Sequence, residues 1–328
     1  MNKRRIKVLF IYITALSSFI RQDLEILNSQ FEVIPVKCGC LSDLLKILKY
    51  MISVDLCYIW FGSITSAFTI FFAKLLNKKT ILIAGGMDVA NEPKINYGAI
   101  NRIIYKNFVV YSFNNADRIL AVSNFAGHEL ERNVCKKKYL TVYNAVNSEL
   151  FFPNGEKEDI VITVGGIHSN TIHRKGLEAF IRSARYFPEL QFLLIGKIFD
   201  DSIDYLKSIA TPNVNFTDQV DFNILLQYYQ RAKVYVQVSA YEAFGVSLVE
   251  AMLCECVPVV SNCAALPEIV NGIGILADRN DPEDIAKSIS LALEIGSSSE
   301  ARIFAKKRYS IEGRKQKLIS IIDDLIEH

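Results

Sequence analysis

The sequence predicts an α/β protein made of two doubly wound domains, each built on a parallel sheet. Short, continuous runs rich in valine and isoleucine recur along the whole chain, as in strands that are buried on both faces of a parallel sheet. Most are separated by stretches with helical spacing of apolar residues, which is the pattern of βαβ units. The length of 328 residues fits about two domains of ordinary size.

The predicted strands form two series of six. In the first half of the chain they are residues 7–13, 31–36, 56–60, 80–84, 118–122 and 140–142. In the second half they are residues 160–164, 192–195, 214–216, 234–238, 257–261 and 273–276. Helices are predicted between them, for example over residues 19–29 and 177–186, and an amphipathic helix is predicted over residues 310–328.

The run of residues 56–73 carries no charged side chain and has the length of a membrane-span candidate. Gly62, Ser63, Thr65 and Ser66 lie in its middle. We therefore predict a buried strand, a loop and an apolar helix at about residues 64–76 instead of a span.

A domain boundary is predicted at Pro153-Asn154-Gly155. This gives a first domain of residues 1–153, a second domain of residues 154–308 and a helix over 309–328 that we expect to cross back to the first domain. Residues 1–153 carry a net charge of +8 and residues 154–328 carry −6, so the two domains are expected to meet different partners. Ligands are expected in a cleft between the domains, beyond the carboxyl ends of the strands.

Composition argues against several classes of protein. The 51% apolar and 22% charged residues exclude a disordered chain. Seven scattered cysteines without a Cys-x-x-Cys pair, and only four histidines, argue against a disulfide scaffold or a zinc site and favour the cytoplasm. No Asp-x-Asp, P-loop or Gly-x-Gly-x-x-Gly motif occurs, which argues against a metal site of the Asp-x-Asp type and against a dinucleotide cofactor. The basic run 136–138 lacks interleaved aromatic residues, so nucleic-acid binding is not expected.

The most informative segment is residues 239–252, which follow the predicted strand 234–238. A loop containing Glu242 leads through Gly245 into a helix that carries Glu250. The N-terminus of such a helix favours an anion such as a diphosphate, and Glu250 is placed to accept hydrogen bonds from ligand hydroxyls. Ser247-x-x-Glu250 also fits a capping box, in which Glu250 only satisfies a backbone N–H. The local pattern leaves both interpretations open.

Five motifs spread over the chain form one joint pattern. They are the pair Glu242 and Glu250, Val142-Tyr143-Asn144-Ala145-Val146 followed by Phe152-Pro153, Ala116-Asp117-Arg118 leading to Ser123, Arg174-Lys175-Gly176, and Pro258-Val259-Val260 followed by Pro267-Glu268-Ile269-Val270. Together they resemble the retaining nucleotide-sugar glycosyltransferases of family 4 (group 1), which have the GT-B fold. The resemblance covers nearly the whole chain and is strongest over residues 116–328.

The resemblance implies transfer of a sugar from a nucleotide-sugar to a glycan, lipid-linked or similar acceptor, with retention at the anomeric carbon and without a metal or cofactor. It implies that Glu242 contacts the donor sugar, that Glu250 holds the ribose and that Lys175 neutralises the diphosphate. The family usually has an arginine where this chain has Gly166, and Arg174 is the candidate to replace it.

The resemblance thus assigns residues to both substrates. The implied nucleotide-sugar set is Gly165, Gly166, Arg174, Lys175, Glu242, Ala243, Phe244, Gly245, Val246 and Glu250. The acceptor-side candidates are Gly85, Gly86, Asp88 and Ser123, and the catalytic candidates are Glu242, Lys175 and Asp88. For Asp88 a turn or N-cap role stays open. His168 and His173 are predicted in a loop, where solvation is favoured and assistance in phosphate binding is the alternative.

Two alternative functions stay open. One is another GT-B activity, such as a nucleotide-sugar epimerase or a phosphorylase. The other is a catalytically weak sugar-nucleotide-binding protein, because the first domain departs from the family pattern after its first and fourth strands.

Contact of the first domain with the anionic inner face of a membrane is a further expectation. The basic residues that suggest it are Lys3, Arg4, Arg5, Lys7 and the run 136–138, beside an apolar helix with Phe68, Phe71 and Phe72. The alternative is that the phenylalanines belong to the core and the lysines form a solubilising face.

Overall fold

Two six-stranded sheets, each with parallel neighbouring strands, form the frame of the protein in the computed structural model, which describes residues 5–327. Helices flank the strands, as the alternating pattern predicts. The predicted α/β architecture with two parallel sheets is therefore confirmed.

The secondary structure follows the predicted alternation closely. The strands are β1 (Lys7–Tyr12), β2 (Glu32–Lys37), β3 (Leu56–Trp60), β4 (Lys79–Ala84), β5 (Arg118–Ala121), β6 (Leu140–Thr141), β7 (Glu158–Val164), β8 (Gln191–Ile195), β9 (Val214–Thr217), β10 (Ala232–Gln237), β11 (Val257–Ser261) and β12 (Ile275–Ala277). The α-helices are α1 (Ser18–Asn28), α2 (Leu41–Met51), α3 (Ile64–Leu75), α4 (Ile103–Asn115), α5 (Asn124–Asn133), α6 (Ser169–Lys175), α7 (Leu177–Ser183), α8 (Ser202–Ile209), α9 (Phe222–Arg231), α10 (Val246–Leu253), α11 (Leu266–Val270), α12 (Pro282–Ile295), α13 (Ser299–Arg308) and α14 (Ile311–Glu327). Short 3-10 helices lie at Pro93–Ile95, Ala99–Asn101 and Ala184–Tyr186.

The first sheet has the strand order β2-β1-β3-β4-β5-β6. Strand β3 lies inside the sheet and all five of its residues are buried, which explains its unbroken apolar sequence. Strand β2 lies at the edge and contains Pro35, where the missing N–H of proline costs little because one side of the strand has no neighbour. The strand order reverses between β1 and β3, and their carboxyl ends mark the topological switch point of this unit.

The second sheet has the strand order β12-β11-β10-β7-β8-β9. Apolar side chains of the inner strands, among them Val161, Val234 and Val259, form a fully buried core with those of α7 and α12. The strand order reverses between β7 and β10, so the switch point of this unit lies where these two strands end. Strand β12 spans Ile275–Ala277, two residues later than predicted at its start, because residues 271–274 form the turn that follows α11.

The chain divides into two units at a different residue from the predicted one. The first unit runs to Ala145 and resumes at Ile311, and the second is Val146–Ser310. The predicted break at Pro153 lies later because residues 146–153 are fastened to the second unit. The Val146 N–H donates to the Tyr309 carbonyl at 2.9 Å, and the Phe151 ring packs edge-on against Phe222 and Tyr229.

Helix α14 belongs to the first unit through a buried ion pair. The Arg314 guanidinium contacts both carboxylate oxygens of Asp23 in α1, at 2.5 and 2.8 Å, and both side chains are almost fully buried. The same guanidinium donates to the carbonyls of Val142 and Tyr143. The Tyr58 hydroxyl donates to Asp23 at 2.7 Å, so the pair forms a network that satisfies the buried charges.

The charge-free run 56–73 forms strand β3, a short loop and helix α3, as predicted. Among the described residues, none of the helices is long and apolar enough to cross a membrane. Of the first basic cluster, Lys3 and Arg4 lie outside the described residues. Arg5 donates to the carbonyls of Asn28 and Gln30, and Lys7 pairs with Glu32 at 2.9 Å.

Candidate functional site

The candidate site of the second unit lies where β7 and β10 end. Gly165 and Gly166 follow β7, and the loop 238–245 leads from β10 to helix α10. This is the switch point at which open α/β sheets bind ligands. Two of the predicted donor-binding segments therefore share one edge of one sheet.

A sheltered group of charges lies at this edge. The Lys175 Nζ is 3.2 Å from Glu242 Oε1, and the Arg174 guanidinium is 3.7 Å from the same oxygen. Each of the three side chains keeps only about a sixth of its surface exposed. One carboxylate thus holds two cations that a bound diphosphate would attract, in surroundings that strengthen electrostatic interactions.

Two glycines make room for this arrangement. A Cβ on Gly165 would lie 2.6 Å from the Lys175 Cδ, so the lysine stem crosses the glycine on its way to Glu242. Gly176 has φ of +68°, and a Cβ there would lie 2.3 Å from the Val238 carbonyl oxygen. The Lys-Gly pair of the motif therefore places the end of α6 directly against the end of β10.

The prediction of a loop around His168 and His173 is wrong, because residues 169–175 form helix α6. The His168 imidazole caps its first turn by accepting from the Asn170 N–H, and Thr171 completes the cap by accepting from the His168 N–H at 3.0 Å. The Ala240 N–H donates to the Arg174 carbonyl at 2.7 Å. The helix therefore fixes Arg174 and Lys175 at its carboxyl end, beside the loop that carries Glu242.

Helix α10 starts at Val246, and the preceding Gly245 has φ of +92° and provides no side-chain cap. The capping-box interpretation of Ser247 and Glu250 is therefore not borne out. Ser247 Oγ instead accepts from the Tyr235 hydroxyl at 2.8 Å, and the Tyr229 hydroxyl donates to Glu250 Oε2 at 3.0 Å. The first N–H groups of a helix have no partner inside it, so this uncapped N-terminus suits an anion.

Burial raises the pKa of Glu250 to about 7, and the hydrogen bond from Tyr229 opposes this shift. The group therefore changes charge near neutral pH. Tyr229 is not among the site residues that the sequence predicts. A tyrosine pair at 228–229 near the end of an amphipathic helix was the only signal for it.

The other members of the predicted set contribute mainly backbone. Phe244 is buried, with its ring edge-on to Tyr309 at a centroid distance of 5.2 Å. The carbonyl of Glu242 accepts from the Ala265 N–H at 3.1 Å. These contacts hold the loop from Glu242 to Val246, including Ala243, between β10 and the turn after β11.

In the first unit, Asp88 holds a turn. It is almost fully buried, and its carboxylate accepts from the N–H groups of Gly62, Gly85 and Gly86 at 2.8, 3.1 and 2.9 Å. Burial raises its pKa to about 6, and these backbone hydrogen bonds oppose the shift. Of the two roles left open for Asp88, the geometry gives it the turn role. It joins the loops after β3 and β4 and does not present a free carboxylate to an acceptor.

Ser123 is likewise buried, and it caps helix α5 by accepting from the Ala126 N–H at 3.0 Å. A cavity of about 340 Å³ lies instead at the switch point of this unit, where β1, β2 and β3 end. Its mostly apolar lining includes Ile13, Cys38, Ile64 and Tyr105. The reversal of strand order was the signal that could have located it, but strand order cannot be derived from local patterns.

In the part of the chain that the structure describes, no group of three or more His, Cys, Asp or Glu side chains is arranged to hold a metal ion. The cations of the second-unit site are Arg174 and Lys175. A charged substrate at this edge of the sheet therefore meets side-chain cations and helix N–H groups.

Residues 148–309 match the family model described as "Glycosyl transferases group 1". An uncharacterized glycosyltransferase of Methanocaldococcus jannaschii is 26% identical over 206 residues, covering 62% of this chain and 56% of that protein. The O-antigen chain mannosyltransferase B of Escherichia coli is 27% identical over 202 residues, covering 56% of this chain and 53% of that protein.

The chain spans about half the length of these curated relatives. Among solved structures, Anabaena HepE in complex with UDP and glucose superimposes with a TM-score of 0.78 at 15% identity, covering 98% of this chain and all of that chain. This similarity confirms the predicted GT-B fold. Over residues 148–309, the family match confirms the predicted resemblance to the group 1 glycosyltransferases.

Proposed function

We propose that this chain, whose residues 148–309 match the group 1 glycosyltransferase family, transfers a sugar from a nucleotide-sugar to a glycan or lipid-linked acceptor. The donor binds at the switch point of the second unit, and the acceptor binds to the first unit. The reaction retains the configuration of the anomeric carbon and uses neither a metal ion nor a cofactor. The observation that carries the proposal is the contact of Lys175 with Glu242 beside the uncapped start of α10.

Donor binding replaces the contacts that Lys175, Arg174 and Glu242 make with one another. The diphosphate takes Lys175 and Arg174, and Glu242 then accepts hydrogen bonds from the sugar hydroxyls. Each new contact is charge-assisted, which makes it shorter and stronger than a neutral hydrogen bond. The N-terminus of α10 adds its N–H groups to the phosphate, and Glu250 accepts from the ribose.

Catalysis comes from stabilising the diphosphate as it leaves. The bond between the anomeric carbon and the phosphate oxygen breaks while negative charge grows on that oxygen, where Lys175 lies. The departing phosphate oxygen takes the proton of the acceptor hydroxyl. The acceptor oxygen bonds to the anomeric carbon on the face that the phosphate leaves, which retains the configuration.

The test is an assay of the protein with a panel of nucleotide-sugars and glycan or lipid-linked acceptors, with the product anomer assigned by NMR. We expect an acceptor-dependent product with the donor's anomeric configuration. An inverted product contradicts retention. Donor conversion without any acceptor identifies another GT-B activity, and tight nucleotide binding without turnover identifies a binding protein.

The two glutamates should have separable roles. We expect Glu250→Gln to weaken binding of the nucleoside diphosphate about 10- to 100-fold, because a charged acceptor for the ribose is lost. Glu242→Gln should lower kcat with a smaller effect on that affinity. Calorimetric titration with nucleoside diphosphates and steady-state kinetics separate the two effects. A Glu250→Gln protein with unchanged affinity but altered melting temperature would assign Glu250 a structural role.

The raised pKa of Glu250 adds a pH signature. Affinity of the wild type should fall as the pH drops through about 7, because the protonated carboxyl is a poorer acceptor. The stability of the fold should have the opposite pH dependence. A carboxyl whose pKa is raised in the folded state stabilises the fold at pH values below the ordinary pKa of that carboxyl. This stabilisation is lost as the pH rises through about 7. Glu250→Gln should flatten both profiles in this range.

We infer further that the first unit contacts an anionic membrane surface from the cytoplasmic side. The start of α4 supports this: Ile103 and Ile104 are 82% and 76% exposed, and the neighbouring Arg102 and Lys106 are exposed too. Apolar side chains flanked by cations suit an interface of headgroups and acyl chains. Of the three phenylalanines predicted to insert, Phe68 and Phe72 are half-buried and only Phe71 is exposed, so this pair of isoleucines becomes the main insertion candidate.

The double variant Ile103→Ser, Ile104→Ser should lose most co-sedimentation with vesicles of phosphatidylcholine and phosphatidylglycerol at low salt. Ile303→Ser is the matched control, because Ile303 is 67% exposed on the second unit. Binding of the wild type to pure phosphatidylcholine should be weaker. Equal partition of the wild type to both vesicle types, or to neither, would refute membrane docking.

A further inference from the structure

We propose that the ring of Phe199 is the stacking platform for the nucleobase of the donor, an inference that rests on the proposed function and assigns a residue to it. Phe199 lies in the loop after β8, at the same edge of the second sheet as Gly165 and Gly166. Its side chain is 59% exposed, although phenylalanine is usually buried. Single exposed apolar side chains are common on protein surfaces. This ring, however, lies beside the candidate ligand site, which indicates a role in binding.

The backbone around this ring is held from both sides. The Phe199 N–H donates to the Ile167 carbonyl at 3.0 Å, and the Ile167 N–H donates to the Lys197 carbonyl at 2.8 Å. Asp218 accepts from the Ile198 N–H at 3.0 Å. Asp200 accepts from the Ser169 N–H at 3.0 Å. An aromatic ring on so firmly held a backbone loses little freedom when a planar ligand stacks on it.

The ring and the stem of Lys175 lie against neighbouring residues. A Cβ on Gly166 would lie 2.9 Å from the Phe199 Cε2, so the edge of the ring rests on this glycine. The preceding residue, Gly165, lies under the stem of Lys175. The proposed phosphate cation and the proposed base platform therefore lie against two consecutive glycines at one edge of the sheet.

One face of the ring already has a neighbour. The Lys197 Nζ lies 5.1 Å from the centroid of the ring, within the range of a cation–π contact. A base therefore stacks on the opposite face. Stacking of a base on an aromatic side chain tolerates every base, so this platform holds the nucleotide without choosing its identity.

The experiment compares binding of nucleoside diphosphates with binding of inorganic diphosphate, which lacks a base. Calorimetry on Phe199→Ala should give an affinity for the preferred nucleoside diphosphate that is about 5- to 100-fold weaker. Affinity for inorganic diphosphate should stay within about twofold, and Phe199→Tyr should restore nucleotide binding. Tyr186→Ala is the control, because Tyr186 is 47% exposed outside the site.

Three outcomes would contradict the proposal that Phe199 stacks on the nucleobase. Unchanged nucleotide affinity in Phe199→Ala means that the base lies elsewhere. Equal losses for nucleotide and inorganic diphosphate mean that the ring only shapes the phosphate site. Unchanged nucleotide affinity together with a raised KM for the acceptor means that the ring stacks on an acceptor sugar. A wild type that binds neither nucleotide nor diphosphate would instead reject the proposed function itself, which keeps the two failures distinguishable.

Discussion

Replacing Lys175 by methionine should lower kcat for sugar transfer by about 100- to 1,000-fold, the usual cost of removing one preorganised group that stabilises developing charge. Lys175 Nζ is held 3.2 Å from Glu242 by a stem that crosses Gly165. Methionine keeps the length of that stem and removes only the charge. The loss should therefore appear in kcat, with little change in melting temperature.

The control is Lys207→Met, because Lys207 is an exposed lysine of α8 away from this group. It should leave kcat within about twofold of the wild type. Activity of the wild type should survive a chelator, since the proposed mechanism assigns the work of a metal ion to Lys175, Arg174 and the start of α10. Abolition by the chelator, or a Lys175→Met enzyme near wild type, would contradict this mechanism.

The largest effect on stability is expected for Arg314→Met, which should reduce the free energy of unfolding by about 3–5 kcal/mol. The substitution leaves the buried Asp23 carboxylate without its cation and the Val142 and Tyr143 carbonyls without a donor. This loss can be measured by urea unfolding with the fluorescence of Trp60 as the signal. Trp60 is buried in the first unit, which also contains the ion pair.

Arg118→Met is the matched control, because Arg118 makes a similar contact with α14 at the surface. Its guanidinium lies 3.3 Å from Asp324, and both side chains are exposed, so its removal should cost less than about 1 kcal/mol. The double variant Asp23→Leu, Arg314→Met should regain part of the stability, since no unpaired charge is then buried. Equal effects of the two arginine substitutions would mean that the buried pair contributes no more than a surface pair.

The fold was predictable because strands buried on both faces leave a strong local signal. The residues of β3 and β11 are all buried, and nothing polar interrupts their sequences except Ser261. The boundary between the units was less predictable. It depends on contacts of Phe151 with α9 and of Val146 with Tyr309, which join residues far apart in the sequence.

The site was predicted unevenly, for a physical reason. Glu242, Arg174 and Lys175 belong to motifs whose spacing reflects one function, and the structure brings them together. Asp88 and Ser123 were named from the family resemblance, but polar residues that follow strands also hold turns and cap helices. Helix α6 was missed because its stability comes from His168 and Thr171 at its start and from Gly176 at its end, and it has too few residues for a helical period.

The return of α14 to the first unit makes the second unit an insertion, with consequences for synthesis. The strands of the first sheet emerge from the ribosome early, but Asp23 meets Arg314 only after all of Val146–Ser310 has been made. At roughly 5–20 residues per second, that delay is on the order of ten to thirty seconds. The second unit is continuous in sequence and can complete its sheet during this interval. The first unit stays incomplete until its last helix, α14, has been synthesised. A translation product that stops at Ser310 would thus display a well-formed second unit beside a first unit with an unpaired carboxylate in its core, a species that proteases and chaperones can distinguish from the finished protein.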